Sequence, residues 1–377
     1  MEHTLKFYPV GNGDCILASI GGTNEKMMFD CNFRQKAEED NDDMFDVAND
    51  LIENELKTKN GLPFLDAFLL THPDKDHCGG FEDKFYLGDP DKVSDNDKKA
   101  NKILIGELWY SPRIFEEFSD ELSSNAKAFK KEAKRRMDLF KSDNKKANKD
   151  GNRIRIIGWA DNKELEGLEA RIIVPGNIIN EVNAKTCKHF ELFIHAPFKD
   201  DIENADRNET SIVLQLRFFT DDKKKEVVRV FLGGDAEWRV WDKIMEVTKN
   251  DDYLKWDLLE APHHCSYTFF ADNRDEEPNK ASLDFLDKRE SNAFVISSSK
   301  VIKKNSDNPP CQKAKNRYVD RVGESNFFCT SGESDNDTEK PIMFIIENGG
   351  LSLYEDKKKA TAFTQHSSSN AKPHYYG

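Results

Sequence analysis

The chain predicts an α/β layered sandwich on three observations. Short apolar runs end in metal-competent side chains, glycines mark tight turns between the first of these runs, and one apolar stripe recurs at helical spacing. The runs Lys26 to Phe29, Phe64 to Leu70, Val227 to Gly234 and Leu258-Leu259 lead into Asp30, His72, Asp235 and His263-His264. In layered α/β folds the loops at one end of the strands gather the functional groups, so these four ends are expected on one edge.

Taken in order, Thr4 to Tyr8, Cys15 to Ile20 and Lys26 to Phe29 read as an antiparallel opening with Gly11, Gly13, Gly21 and Gly22 at its turns. Met44, Val47, Ala48, Leu51, Ile52 and Leu56 have the spacing of an amphipathic helix that covers a sheet. The strand Phe64 to Leu70 follows. Residues 82–152 are looser: Ile103 to Tyr110 reads as a strand and Phe115 to Phe140 as mostly helical with a basic face, together a charged, partly helical insertion. Arg153 to Trp159, Glu169 to Val174, Ser211 to Phe219 and Ala293 to Ser297 complete the strands. Residues 1–355 are expected as one domain and 356–377 as a mobile tail.

The segment His72-Pro-Asp-Lys-Asp-His77-Cys-Gly79 places two imidazoles and two carboxylates within six positions at a strand end. Four ligand-type side chains in one turn point to a cation held by mixed nitrogen and oxygen donors. Thr71, Pro73, Gly79 and Gly80 permit the sharp bend that lets them converge. His195, in Leu192-Phe-Ile-His-Ala-Pro, is expected as a core histidine and is a lesser candidate for a ligand.

The ordered set Val10-Gly-Asn-Gly-Asp14, Phe29-Asp30, Leu70-Thr-His-Pro-Asp-Lys-Asp-His-Cys-Gly-Gly80, Asn208-Glu-Thr-Ser-Ile-Val213, Leu232-Gly-Gly-Asp235-Ala-Glu237 and Ala261-Pro-His-His-Cys-Ser266 resembles the metallo-β-lactamase fold. Within it, the chain looks like the branch related to the soluble nuclease-type domain of the DNA-uptake protein ComEC, in which Asp74 replaces a histidine. The resemblance implies an αββα sandwich, with the insertion above the active edge. It implies metal ligation by His72, Asp74, Asp76, His77, Asp235 and His263, with His263 or His264 completing a site or donating a proton. Catalytic roles are expected for Asp76, His264 and, by orienting the motif, Asp30. Asp74 hardens the donor set toward Mn²⁺ or Mg²⁺, with Zn²⁺ compatible. Asn208 matches a ligand position of the family. Where relatives carry a Gly-His-Pro segment, this chain has Asp307-Asn308-Pro309, a departure expected to alter one metal position. Cys15, Cys31, Cys78 and Cys265 stand where the family has small or hydroxylic residues and are expected as buried apolar filler.

Composition narrows the function. No stretch of the 377 residues approaches the ~20 apolar residues of a membrane span. The amino terminus lacks a basic-then-apolar leader and the seven cysteines form no disulfide framework, so a cytoplasmic protein is expected. A net charge of −14 argues against a uniformly phosphate-binding surface. From Lys127 to Arg155, however, twelve Lys or Arg stand against four Asp or Glu, and Lys134, Arg135 and Arg136 are expected to guide a polyanion. The leading expectation is a metal-dependent phosphodiesterase, foremost a nuclease with a place in antiviral defence. The alternatives are a small-molecule metallohydrolase and a catalytically impaired scaffold with a protein partner.

Overall fold

The computed structural model describes residues 1–34, 44–116, 121–159, 165–200, 207–225, 227–306, 308–334 and 339–354. Two mixed sheets face each other. The first runs, edge to edge, Ile172–Ile173, Arg153–Ile157, Leu104–Tyr110, Leu62–Leu69, Lys26–Phe29, Ile16–Ser19, His3–Phe7, Ile342–Glu347 and Gly350–Leu353, with Lys57–Lys59 paired to Leu62–Leu69. The second runs Ile178–Ile179, Phe190–Ala196, Val213–Phe219, Val227–Leu232, Trp256–Glu260, Arg289–Ser297 and Phe327–Cys329. Each sheet is antiparallel in one half and parallel in the other.

Side-chain alternation divides the apolar residues among three layers of packing. Met27 and Phe29 point between the sheets, where they join Leu5, Leu69, Leu214, Val230 and Leu258, whereas Met28 lies on the outer face. That outer face is covered by the helix Ser124–Ser142 through Phe129, Ala133 and Met137. The outer face of the second sheet is covered by Trp238–Val247, Lys280–Leu286 and Gln312–Val322, through Trp241, Phe285 and Tyr318. The result is the αββα layering that the sequence led us to expect.

Three segments differ from expectation for identifiable reasons. The stripe from Met44 to Leu56 yields a short helix, Val47–Asp50, that widens into a π-helical turn, Leu51–Glu55. There Asp50 and Glu55 meet Lys6 and Lys26 of the sheet. Of the mostly helical segment expected from Phe115 to Phe140, the described residues give a 3-10 turn, Pro112–Phe115, and the α-helix Ser124–Ser142, capped by Ser123. Glu169 to Val174 gives a 3-10 turn and the two-residue strand Ile172–Ile173. Of residues 82–152, expected as an insertion above the active edge, two described elements belong to the sandwich itself. Leu104–Tyr110 is buried at all seven positions in the middle of the first sheet, and the following helix forms its outer layer. The expected tail, 356–377, lies outside the described residues. Among those residues no helix is long and apolar enough to cross a membrane.

Candidate metal centre

The parallel halves of both sheets end at the same edge. The chain leaves Phe29 into Asp30, Leu69 into the His72 motif, Leu232 into Asp235 and Glu260 into His263-His264. A two-residue parallel ladder, Cys31–Asn32 with Cys78–Gly79, locks the Asp30 and His77 segments side by side. The Ile212 amide donates to the Thr71 carbonyl (3.1 Å), which ties the second sheet to the motif. Gly13 brings the amino-terminal loop against both: a Cβ there would stand 2.5 Å from the Asp76 carbonyl oxygen, so no side chain fits.

Asp30 organises the motif from below. Its carboxylate accepts from the Thr71 amide (2.7 Å) and hydroxyl (2.5 Å) and from His77 Nδ1 (2.8 Å). With its Nδ1 proton directed at Asp30, a neutral His77 presents the Nε2 lone pair on the other side. That lone pair faces Asp235 Oδ1 at 3.1 Å. Two acceptors at this distance in a buried site repel unless a proton or a cation lies between them.

His264 Nε2 stands 3.3 Å from His77 Nε2, 3.4 Å from Asp235 Oδ1 and 3.4 Å from Asp76 Oδ2. Donor atoms of a tetrahedral cation bound at 2.0–2.1 Å are roughly 3.3 Å apart, and His264 Nε2 stands at about that spacing from each of the other three. The His264 Nδ1 accepts from the Gly13 amide (3.2 Å) and stands 3.4 Å from Asp14 Oδ1, while Asp14 Oδ2 is 3.7 Å from His77 Nδ1. Asp14 therefore lies behind both rings.

The other oxygen of Asp235 faces a second pair. His72 Nε2 and His263 Nε2 are each 3.5 Å from Asp235 Oδ2, and Asp74 Oδ2 is 4.0 Å from His72 Nε2. Consecutive histidines reach opposite halves of the site because His263, His264 and Cys265 all adopt positive φ, 51°, 52° and 63°. Non-glycine residues enter this region at a cost of order 1–3 kcal/mol each, and such strain persists where the surroundings over-determine it. The His72 Nε2 and Asp235 Oδ1 atoms are buried and have no hydrogen-bond partner. Among the described residues Asp14, His77, Asp235 and His264 form a group able to hold a metal ion.

Charge follows from this geometry. Burial disfavours the His77 imidazolium, yet Asp235, Asp30 and Asp14 together raise its pKa well above the usual value. His264 is raised in the same way, burial being outweighed by Asp235, Asp14 and Asp76. Asp235 is held well below the carboxylate range: burial opposes ionisation, but His264, His77, His263 and His72 surround it. Asp76 is likewise lowered against burial by His264 and His77. In the metal-free chain, protons on His77 and His264 supply the positive charge that the carboxylates require. Behind Asp14, burial and the Asp14 charge raise Glu260 well above its usual value, and Glu260 accepts from the Ser298 hydroxyl (2.9 Å).

The residues expected from sequence thus separate. His72, Asp74, Asp76, His77, Asp235, His263, His264 and Asp30 are brought together. Arg136 is buried and bonds Glu132 (2.7 Å) and the carbonyls of Arg153 and Ile105. Arg135 bonds Glu132, Asn152 and the Gly151 carbonyl, and Lys134 pairs with Asp138. Arg135 also lies about 16 Å along the helix from Ser124, the end that meets the motif through Ser123 and Cys78. His195 stacks on Phe231 in the second sheet, its pKa lowered by burial to about 3. Asn308 accepts from the Ser266 hydroxyl and the Tyr267 amide. The four motif cysteines are buried, and burial pushes the Cys78 thiol up to about 12. Sequence reasoning gave no role to Asp14, Arg207 or Glu260. Asp14 was visible as the end of the Val10-Gly-Asn-Gly-Asp14 motif, to which no role was attached, and Arg207, an ion-pair partner of Asp74 at 3.0 Å, carried no local signal.

No protein-family model matches the chain, and no curated protein does. Solved structures do, at a distance. The isothiocyanate hydrolase from Delia radicum gut bacteria is 11% identical over 90% of this chain and 100% of its own, with a TM-score of 0.38. Unliganded yeast PDE1 is 13% identical over 87% and 96%, with a TM-score of 0.40. A protein of unknown function from Enterococcus faecalis V583 is 13% identical over 87% and 69%, with a TM-score of 0.33.

Proposed function

We propose that the chain is a metal-dependent hydrolase of phosphodiester bonds. The observation that carries this reading is the buried Asp235 carboxylate, each oxygen of which faces its own pair of imidazoles. His72, Asp74 and His263 would hold one divalent cation and His77, Asp76 and His264 a second, with Asp235 shared; Mn²⁺ and Zn²⁺ suit these donors and Mg²⁺ is admissible. When bound, such a pair supplies Lewis acidity and acidifies a water toward neutral pH. Asp30 holds the His77 imidazole by its Nδ1 edge, as an outer partner of a metal-binding histidine does. Asp74, Asp76 and His263 are half-buried and mark the side open to substrate, whereas Asp14, His77 and His264 close the floor.

Nucleic acid is the first substrate class to test. The engagement of Arg135 and Arg136 in bonds to Glu132 and backbone carbonyls favours a small phosphodiester as the second reading, because it removes two cations from the polyanion track. The deciding experiment is hydrolysis of single-stranded DNA and of a small chromogenic phosphodiester with Mn²⁺, Mg²⁺ or Zn²⁺. Wild type is expected to turn over one of them and Asp235→Asn to lose more than about a thousandfold, ~4 kcal/mol of barrier. Equal rates for the two proteins would remove the reading.

A further inference from the structure

Behind His263 runs a chain of hydrogen bonds whose direction is fixed at its far end. The Tyr267 amide, which can only donate, meets Asn308 Oδ1 at 2.8 Å, so that atom of the carboxamide is the oxygen. The Ser266 hydroxyl donates to the same oxygen (3.0 Å). Ser266 Oγ in turn accepts from the Thr268 amide (3.1 Å) and from the Thr268 hydroxyl (2.9 Å), which uses its full capacity of one donor and two acceptor sites. The Thr268 proton being spent on Ser266, Thr268 Oγ1 is left to accept from His263 Nδ1 at 3.0 Å. Reversing the chain, with Thr268 donating to the ring, turns the Ser266 proton away from Asn308 and leaves one bond unmade. Glu237, with Oε1 3.9 Å from the same Nδ1, lies beyond hydrogen bonding and favours the same tautomer.

We infer that Asn308 is a positioning residue that acts through Ser266 and Thr268 to keep the His263 proton on Nδ1, leaving the Nε2 lone pair aimed at Asp235 Oδ2. The role of that lone pair as a metal ligand rests on the proposed function; the position of the proton does not. Asn308 thereby contributes to the site without touching it, by setting which ring nitrogen is free to ligate.

The test reads the proton directly. Metal-free protein labelled with ¹⁵N-histidine gives long-range ¹⁵N–¹H correlations at pH 8 that distinguish Nδ1–H from Nε2–H, with His263 assigned by its loss in His263→Gln. Wild type is expected to carry Nδ1–H. Thr268→Val, nearly isosteric but without the acceptor, is expected to carry a substantial Nε2–H fraction. Thr268→Ser and Asn308→Asp, which preserve the chain and its direction, should match wild type, and Asn308→Ala should move toward Thr268→Val. In Mn²⁺ or Zn²⁺ titrations Thr268→Val and Asn308→Ala should bind roughly 10–100-fold more weakly, and Thr268→Ser should not. An Nε2–H ring in wild type, or a ring unmoved by Thr268→Val, overturns the inference. If the tautomers behave as stated and wild type binds no metal, the inference stands and the proposed function fails.

Discussion

Two regions of this molecule bury charge and handle it in opposite ways. On the helix Ser124–Ser142, Glu132 and Arg136 are 3% and 1% exposed, yet the Arg136 Nε, Nη1 and Nη2 all have acceptors and both Glu132 oxygens have donors. At the strand ends, Asp235 is 3% exposed and His77 fully buried, but there acceptor faces acceptor and His72 Nε2 has no hydrogen-bond partner. The first arrangement is complete without any addition and belongs to the architecture. The second is complete only with added positive charge and belongs to the chemistry. Burial is alike in the two regions; the difference lies in whether donors and acceptors match.

Substitutions can break that comparison at either end. The largest effect is expected for Glu132→Ala, which strands the buried Arg136 guanidinium. Removing one partner of a buried pair costs about 3–5 kcal/mol, and urea unfolding should show it while the hydrolysis rate per folded molecule is unchanged. A rate that fell with stability would place this helix in the substrate path. Asp235→Asn should lose turnover and also lower the melting temperature of the metal-free protein, because it removes the charge that the surrounding imidazoles hold ionised.

A smaller and pH-dependent effect separates the core histidine from the site histidines. His195 has a folded-state pKa near 3 against 6.5 unfolded, so between those values the unfolded chain binds the extra proton. Its contribution is whole above pH 6.5 and is lost as pH falls toward 3, by about 1.4 kcal/mol per unit. His195→Phe, which suits a ring stacked on Phe231, should flatten the acid limb of stability without changing metal binding. An acid limb identical to wild type would show that His195 is protonated in the fold. Least of all, Lys134→Ala removes an exposed pair with Asp138 and should stay within about 0.5 kcal/mol in urea unfolding, with turnover on DNA retained.

The same distinction explains what could be read from the sequence. The strand before His72, the clustering of His72, Asp74, Asp76 and His77, and the distant Asp235 and His263-His264 were legible because apolar runs ending in ligands leave a local pattern. Leu104–Tyr110 was legible as a strand, but its place in the middle of the first sheet was not, because pairing is a tertiary property. The basic stretch around Arg135 and Arg136 looked like a substrate track because a sequence lists charges without their partners. Asp14 belonged to a recognised motif but its place behind the rings was not legible, and the separate tasks of His263 and His264 depended on a left-handed turn that nothing in Ala261-Pro-His-His-Cys announces. Asn308 read as a missing ligand; the structure gives it two hydrogen bonds to the turn that carries the histidines.

The most direct test counts ions. Metal-free wild type and Asp235→Asn would each be titrated with Mn²⁺ and with Zn²⁺ by calorimetry, with bound metal measured independently after gel filtration. Up to two ions are expected per wild-type chain, with loss of tight binding in the variant, since both half-sites share that carboxylate. A wild-type chain that retains no metal, or a variant that binds as wild type does, would contradict that expectation.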